Sequence, residues 1–426
     1  MVRVASRRVA LWVLAVATVA LVVGAVAGCS MRGRPVERRL LVVGIDGMDW
    51  ALTQRLAAEG RLPHLSALAA SGVSCPLRTL EPMEKSPVIW TSIATGKLPE
   101  QHGIGDLTAE DGKRLLTSNV RTAKAFWDIL GAADRTVTVI GWLVSWPAQP
   151  VNGVMVTDYF SFVPREGMPF PENLTYPETL AAEIESLRVV GDDVNDEEVS
   201  RIADPDAALT DAEAKRLPFE EMFAEMRAKA ELKTNLNALR DFLAGDRTFL
   251  GVALERARTR PTDLFVLYLR GLDWTSHRFW AAAHPTESGI PVSRTDTRVF
   301  GKAVERYYEH ADEMIGAIVR AYGDSATVIV CSDHGFRGPG PDRRPGGIND
   351  HAPLGVFYMS GEGIKAGEVI PERGVCDVTP TILALFGLPV GEDMDGAPIE
   401  EALTPDFLRE HPVRRIPTHE GTEEGA

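Results

Sequence analysis

Apolar residues in this chain gather in short unbroken runs more often than they alternate with polar ones. Arg39 to Ile45 (RLLVVGI), Thr136–Gly141 (TVTVIG), Asp263–Tyr268 (DLFVLY) and Ala326–Cys331 (ATVIVC) each read as a strand buried on both faces, the signature of a parallel sheet. Between them lie stretches with helical spacing: one following Asp46-Gly47 through Leu56, then Ala123–Leu130, Val304–Tyr322 and Pro380–Phe386. Strands alternating with helices predict an α/β domain, here over residues 39–404. The section from about 164 to 258 differs. It is rich in Glu, Asp, Ala, Lys and Arg, has few β-branched runs, and reads as largely helical from Ala207 onward. It is expected to be a helical cap inserted into the α/β core. Residues 405–426 are polar and are expected to be a disordered tail. No internal repeat is visible.

The start of the chain has its own pattern. Arg3, Arg7 and Arg8 precede an uncharged run from Val9 to Ala27, which closes on Val26-Ala27-Gly28-Cys29. A basic start, an apolar stretch and small residues before a cut make an export signal over residues 1–28. Cys29 in that setting resembles a bacterial lipobox, which implies a diacylglycerol anchor on Cys29 and a tether over 29–38. An uncleaved membrane helix is the alternative, because the run is nearly long enough to span a bilayer. Either reading expects the folded part to face outside the cytoplasm, in the cell envelope. Ser6-Arg7-Arg8 is a fragment of a twin-arginine signal and no more.

Composition narrows the function. The chain has 426 residues, 45% of them hydrophobic, enough for one large domain or two ordinary ones. Its formal net charge of -15 argues against a nucleic-acid polymer as partner. It leaves open a phosphate-containing substrate, because a bound metal can reverse the charge of a local site. Besides Cys29, only Cys75, Cys331 and Cys376 are present, widely spaced and without a CxxC pair. Any metal here is therefore expected on histidines and carboxylates.

Four motifs put such residues where strands should end, the edge at which open α/β sheets bind ligands. Asp46 closes the first apolar run. Asp273 and His277, four apart and so on one side of a helical turn, follow DLFVLY. Asp333 and His334 follow ATVIVC, and Asn349-Asp350-His351 lies in a Gly- and Pro-rich loop. Each has an ordinary explanation alone: a turn at Asp-Gly, a helix cap, an intrahelical pair. Together they form a carboxylate and imidazole set suited to zinc, with manganese compatible. A nucleophile candidate is Ser86, which before Pro87 reads as a helix N-cap. A helix start also suits attack on an anion. Thr91 and Ser92, deeper in that helix, read as packing or polar-face residues.

These motifs resemble the alkaline phosphatase superfamily, in its type I phosphodiesterase/nucleotide pyrophosphatase branch. The site residues of that family follow the order Asp, Ser or Thr, Asp, His, Asp, His, His, matched here by Asp46, Ser86, Asp273, His277, Asp333, His334 and His351. Thr95-Gly96-Lys97-Leu98-Pro99-Glu100-Gln101-His102-Gly103-Ile104 resembles its TG…P…HGI signature, and the nucleophile stands nine residues before that threonine, at Ser86. Asp377-Val378-Thr379-Pro380-Thr381-Ile382-Leu383 resembles its DVxPTIL helix start. The resemblance covers most of residues 39–400. It implies a three-layer sandwich with a mainly parallel central sheet. It also implies two divalent ions, one on Asp273, His277 and His351, the other on Asp46, Asp333 and His334 with the oxygen of Ser86. The activity implied is cleavage of a small-molecule or lipid-linked phosphate ester, phosphodiester first, through a phosphoserine on Ser86. A phosphotransferase passing a lipid-derived phospho-group to an acceptor fits the same intermediate. A metal-binding lipoprotein without catalysis is the non-enzymatic alternative.

Two places depart from the pattern. Where many nucleotide pyrophosphatases carry a phosphate-holding asparagine after HGI, this chain has Gly105-Asp106-Leu107, so the orienting donor falls to candidates such as Lys85 or Arg270. Ser74-Cys75-Pro76-Leu77-Arg78 resembles a sulfatase signature, but it lies too early in the chain to supply the nucleophile. Trp142, Trp146, Tyr159 and Phe160, with Trp274 and Trp280 beside the Asp273/His277 motif, are expected mainly in the core.

Overall fold

The computed structural model describes residues 38–105, 117–162, 171–288, 291–323, 325–338 and 350–421. The export signal, Cys29, nearly all of the tether, Asp106-Leu107 and Asn349 lie outside them.

The four apolar runs are the centre of one sheet. β1 (Leu40–Ile45), β2 (Gly72–Arg78), β3 (Val137–Ile140), β4 (Gly153–Val156), β5 (Thr175–Tyr176), β6 (Leu264–Leu269) and β7 (Thr327–Cys331) are followed by two short strands, β8 (Gly335–Phe336) and β9 (His351–Ala352), and by β10 (Leu354–Ser360). The order across the sheet is β2-β10-β7-β1-β6-β3-β4-β5, and β7, β1, β6, β3 and β4 run parallel. β1 explains the unbroken runs. Leu41, Val43 and Ile45 point into one apolar cluster and Leu40 and Val42 into the other. Both faces are dry, so alternation has nothing to mark.

Helices cover the two faces. Leu52, Leu65, Phe249, Leu272 and Ile315 bring the helices Trp50–Ala58, Pro63–Ser71, Phe219–Thr259, Gly271–Ala283 and Ala303–Tyr322 onto one side. Ile89, Phe126 and Ile382 bring Ser86–Thr95, Phe126–Ala132 and Val378–Leu385 onto the other. The result is an α/β three-layer sandwich, as the resemblance implied.

Three features depart from the sequence reading. β2 and β10 are not among the strands expected from the sequence, and β2 carries Pro76, which argues against a strand. Antiparallel to β10, β2 pairs on its other edge with residues 368–369 opposite Val73 and Ser74 and with 373–374 opposite Leu77 and Arg78. The gap between these two pairings coincides with Pro76, which has no N–H to give. The section expected as a cap is woven into the core: β5 belongs to the sheet, and the 41-residue helix Phe219–Thr259 buries Leu239, Leu243, Phe249, Val252 and Ala257 along its second half. Finally, residues 405–421 are ordered. Pro405–Glu410 is helical with Phe407 buried, Arg415 and Ile416 pair with Val390 and Gly391, and Glu420 accepts from Lys97 Nζ at 3.1 Å. A few such anchors outweigh a polar average composition.

Candidate active site

The register of the central strands decides where the chemistry sits. Ile45 lies opposite Leu269 and Gly44 opposite Cys331, so β1, β6 and β7 leave the sheet at the same level. The next residues are Asp46, the Gly271–Ala283 helix carrying Asp273 and His277, and Asp333-His334. The short β8–β9 ladder places His351 opposite Phe336. Ser86 starts a helix on one face of the sheet, while Asp273 and His277 start one on the other. The cleft between them is the carboxyl edge of the sheet.

Two glycines make room for this convergence. A Cβ on Gly44 would lie 2.8 Å from the Trp90 ring, whose Nε1 donates to Asp46 Oδ2 at 3.3 Å. Gly47 has φ +71, a left-handed turn, and a Cβ there would meet Asp273 Cβ and Oδ1 at 3.0 Å.

All seven residues singled out for metal and nucleophile roles come together. The Ser86 hydroxyl donates to Asp46 Oδ1 at 3.3 Å and lies 3.1 Å from His334 Nε2. The helix N-cap is Lys85, one residue before the position expected, and Ser86 makes no capping bond. Its hydroxyl is thereby free to face the carboxylates. Tyr268 donates its hydroxyl to Asp46 Oδ2 in a short contact, and Gly47 N donates to Asp333 Oδ1 at 3.3 Å. His277 Nε2 lies 3.0 Å from His351 Nε2 and 3.4 Å from Asp273 Oδ1. The His334 and His351 rings stack at 3.5 Å.

The donor atoms fall into two groups close enough to hold an ion: Asp273, His277 and His351, and Asp46, Asp273 and His334. Asp273 therefore reaches both groups, where the resemblance implied only the first. Asp333 Oδ2 stands 3.4 Å from His334 Nε2, beside the second.

The protonation equilibria show what this cluster lacks. Burial pushes the Asp273 carboxyl well above the usual carboxylate range, and the charge on Asp46 adds to it. Asp333 is raised for the same two reasons. Burial would raise Asp46 too, but the hydrogen bond and charge of His334 hold it below its ordinary value. Burial works against the His334 imidazolium, yet its bond to Asp46 raises it. Burial depresses both His277 and His351, the latter also through the charges of His334 and His277. Asp273 Oδ1 and Asp333 Oδ2 have no hydrogen-bond partner among the described residues. Buried carboxylate oxygens and imidazole nitrogens converging without enough positive charge are a donor set that fits divalent cations.

A model of the type I phosphodiesterase / nucleotide pyrophosphatase family matches residues 40–373. The chain belongs to that family. It is accordingly a phosphoric ester hydrolase. In fold it is similar to a candidate sulfatase of Bacteroides thetaiotaomicron, with TM-score 0.52 and 12% identity over 90% of this chain and 76% of that one. It is also similar to a 2-O GAG sulfatase, at TM-score 0.50 and 12% identity over 86% and 74% of the two chains. Murine ectonucleotide pyrophosphatase / phosphodiesterase 5, solved with AMP, gives TM-score 0.48 and 12% identity over 86% and 100%. No curated relative matches the chain.

The remaining candidates sort clearly within this phosphodiesterase-family site. Ser74 and Cys75, the sulfatase-like pair, are buried in β2, and burial pushes the Cys75 thiol up to about 12. At that value the thiol stays protonated at neutral pH. Trp142, Phe160 and Trp280 are core residues, while Trp146, Tyr159 and Trp274 are half-buried. Arg270 stacks on Trp274 at 4.3 Å and donates to Ser161 Oγ at 3.1 Å.

Sequence reasoning missed three supports. Asp246 accepts from the backbone N–H of Arg270 and Gly271 at 3.1 and 3.2 Å and from Tyr307 OH at 3.0 Å, thus capping the helix that carries Asp273 and His277. Burial raises its carboxyl to about 6. Tyr268 and Trp90 hold Asp46 from behind. Asp246 lies mid-helix, more than twenty residues before Gly271, and nothing local in the sequence marks it as a cap.

Proposed function

We propose that this chain is an exported phosphodiesterase that cleaves its ester through a phosphoserine on Ser86 with two zinc ions. The observation that carries the reading is the position of the Ser86 hydroxyl. It opens a helix, caps nothing, and faces Asp46 and His334 at hydrogen-bond distance.

Two divalent ions on Asp273, His277, His351 and on Asp46, Asp333, His334 would supply Lewis-acid charge, making Ser86 nucleophilic and offsetting the phosphoryl oxygens. The protein's own part is positional. Asp46 Oδ1 takes the Ser86 hydrogen bond and so directs an oxygen lone pair toward the open side of the cleft. As the Ser86 Oγ–P bond forms, the hydroxyl proton leaves along its hydrogen bond to Asp46 Oδ1 and passes to solvent, while the bond from phosphorus to the leaving oxygen breaks and that oxygen takes a proton from water. Water then attacks the phosphoserine, and as the P–Oγ bond breaks one of the attacking water's protons goes to Oγ and restores the hydroxyl. The helix start beneath Ser86 contributes its partial positive charge to the anion during both steps.

A lipid on Cys29 would join at the N-terminal end of β1, the end of the sheet remote from Asp46. The test is hydrolysis of a chromogenic phosphodiester and a phosphomonoester by the purified protein, with added zinc, after chelation, and as Ser86→Ala. Chelator-sensitive, Ser86-dependent turnover with the diester preferred supports the reading. Preference for the monoester, or phosphoryl transfer to an added alcohol over water, overturns its diesterase part.

A further inference from the structure

We propose that Asp350 is a positioning residue for His277, fixing the imidazole with Nε2 turned into the Asp273–His351 group without itself meeting the metal. The inference rests on the metallohydrolase reading above. Asp350 is 2% exposed, and its Oδ2 lies 3.2 Å from His277 Nδ1. A carboxylate accepts and does not donate, so the ring proton is held on Nδ1 and the lone pair on Nε2. That lone pair faces His351 Nε2 at 3.0 Å and Asp273 Oδ1 at 3.4 Å. The two nitrogens sit on different sides of the ring, so a carboxylate bonded to Nδ1 lies behind the imidazole as seen from an ion on Nε2.

The three candidate histidine ligands are held differently. The His334 Nδ1 donates to the Gly335 carbonyl at 2.9 Å. His351 Nδ1 has no hydrogen-bond partner among the described residues. His277 depends on the Asp350 side chain, and its own side chain is 25% exposed against 9% for Asp273 and 4% for His351. An imidazole at the edge of the cleft has the most freedom to turn toward water, so an orienting bond matters most there. Phe336 packs edge-on against the ring at 4.9 Å and limits its tilt, but does not choose its tautomer.

The fold explains how one dipeptide does both jobs. The Asp350 carbonyl accepts from Arg337 N at 2.9 Å and Gly338 N at 3.0 Å, which ties it to the end of β8. Asp350 sits in a turn just ahead of β9, which His351 opens. From there His351 Nε2 meets His277 Nε2 at 3.0 Å, while Asp350 Oδ2 meets His277 Nδ1 at 3.2 Å on the other side of the ring. Carboxylates in this relation to a ligating imidazole raise its basicity and fix its orientation, and their loss lowers metal affinity by about 10–100-fold.

The test is zinc binding by the full, metal-stripped chain, titrated against a chromophoric chelator, for wild type, Asp350→Ala and the near-isosteric Asp350→Asn. The expected result is a loss of about 10–100-fold at one of two sites in Asp350→Ala, a smaller loss in Asp350→Asn, and the other site unchanged. Nitrogen-15 spectra of the metal-free protein should show His277 protonated on Nδ1 in wild type and mixed tautomers in Asp350→Ala. Turnover of the variant should recover at saturating zinc. Unchanged affinity at both sites overturns the proposal. So does activity that stays low at saturating zinc, which would place Asp350 on the substrate. Equal weakening of both sites with a lower melting temperature of the metal-free variant also overturns it, showing a structural role. Wild type that binds no zinc would instead remove the metallohydrolase reading itself.

Discussion

Ser86 Oγ stands 3.1 Å from His334 Nε2, and the other ring nitrogen of His334 is committed to the Gly335 carbonyl at 2.9 Å. In the neutral ring, Nε2 thus presents a lone pair to the same point that the serine oxygen faces. A hydroxyl and an imidazole lone pair aimed together, with Asp46 Oδ1 3.3 Å from that hydroxyl, are placed as donors to one ion rather than as a proton relay.

Replacing Ser86 by Ala should therefore remove catalysis and leave the ion-binding groups in place. We expect turnover of a chromogenic phosphodiester to fall by about 1,000-fold or more, since an enzyme stripped of its nucleophile keeps only binding and electrostatic assistance. Metal content, measured on the same samples, should stay near that of wild type. A variant within tenfold of wild-type turnover would rule out the covalent role.

The sequence made the centre of the fold legible because the buried parallel strands leave unbroken apolar runs, and β7, β1, β6 and β3 are those four runs. Their chemistry was legible for the same reason: Asp46, Asp273 and Asp333 lie just past runs whose ends are easy to find. The edge was harder. Pro76 in β2 is tolerated because the neighbouring pairings skip it, a fact of tertiary structure alone. Helix starts are read to within a residue or so, hence Lys85 in place of Ser86 as the cap. Asp246 and Tyr268 act across long sequence separations, so no local pattern could have paired them with Gly271 and Asp46.

Metal removal should destabilise the protein through Asp273 and Asp333, whose carboxyls burial already pushes well above their ordinary values. With zinc at about 100 times its dissociation constant, each site adds about 2.7 kcal/mol of stability. Thermal melts with zinc and with chelator should differ accordingly. Asp273→Asn should lose most of that difference, because Asp273 reaches both groups of donors. Its metal-free form should melt no lower than metal-free wild type, since a neutral amide has no buried charge to hold. A variant with the full zinc-dependent shift would show that Asp273 is not a ligand.

Gly47→Ala tests the turn that separates Asp46 from Asp273. The position has φ +71, which costs an L-residue about 1–2 kcal/mol, and the new Cβ would press on Asp273 Cβ and Oδ1 at 3.0 Å. Denaturant midpoints should fall by an amount matching at least the backbone cost, and zinc affinity should fall with them. Gly60→Ala is the control, having a similar φ of +76 but nothing within 4 Å of its Cβ. It should show the stability loss without the change in zinc affinity. If both variants bind zinc like wild type, Gly47 serves the turn only.

His102, from the stretch Thr95–Ile104, makes a prediction about acid. It is buried, its Nδ1 accepts from Ile104 N at 3.2 Å, and its Nε2 lies 3.0 Å from Ser92 Oγ. The Nδ1 bond leaves the ring proton on Nε2, to be donated to Ser92, so the neutral ring is fully used and has no place for a second proton. Burial lowers its pKa from 6.5 to about 4, and the charge of Arg121 adds to this. The sign follows from the neutral form being favoured in the folded state. Above pH 6.5 folded and unfolded chains are both neutral here, and the stability is intact. As pH falls from 6.5 toward 4, the unfolded chain takes up a proton that the folded one refuses, and about 3 kcal/mol is lost. Urea unfolding of chelator-treated protein at pH 7.5 and 4.5 isolates this from metal release. Wild type should lose about 3 kcal/mol more than His102→Gln over that interval, since glutamine cannot take up the proton. Equal losses in the two proteins would mean that His102 titrates alike in the folded and unfolded chains, and that its bonds to Ile104 and Ser92 do not lock the end of this segment.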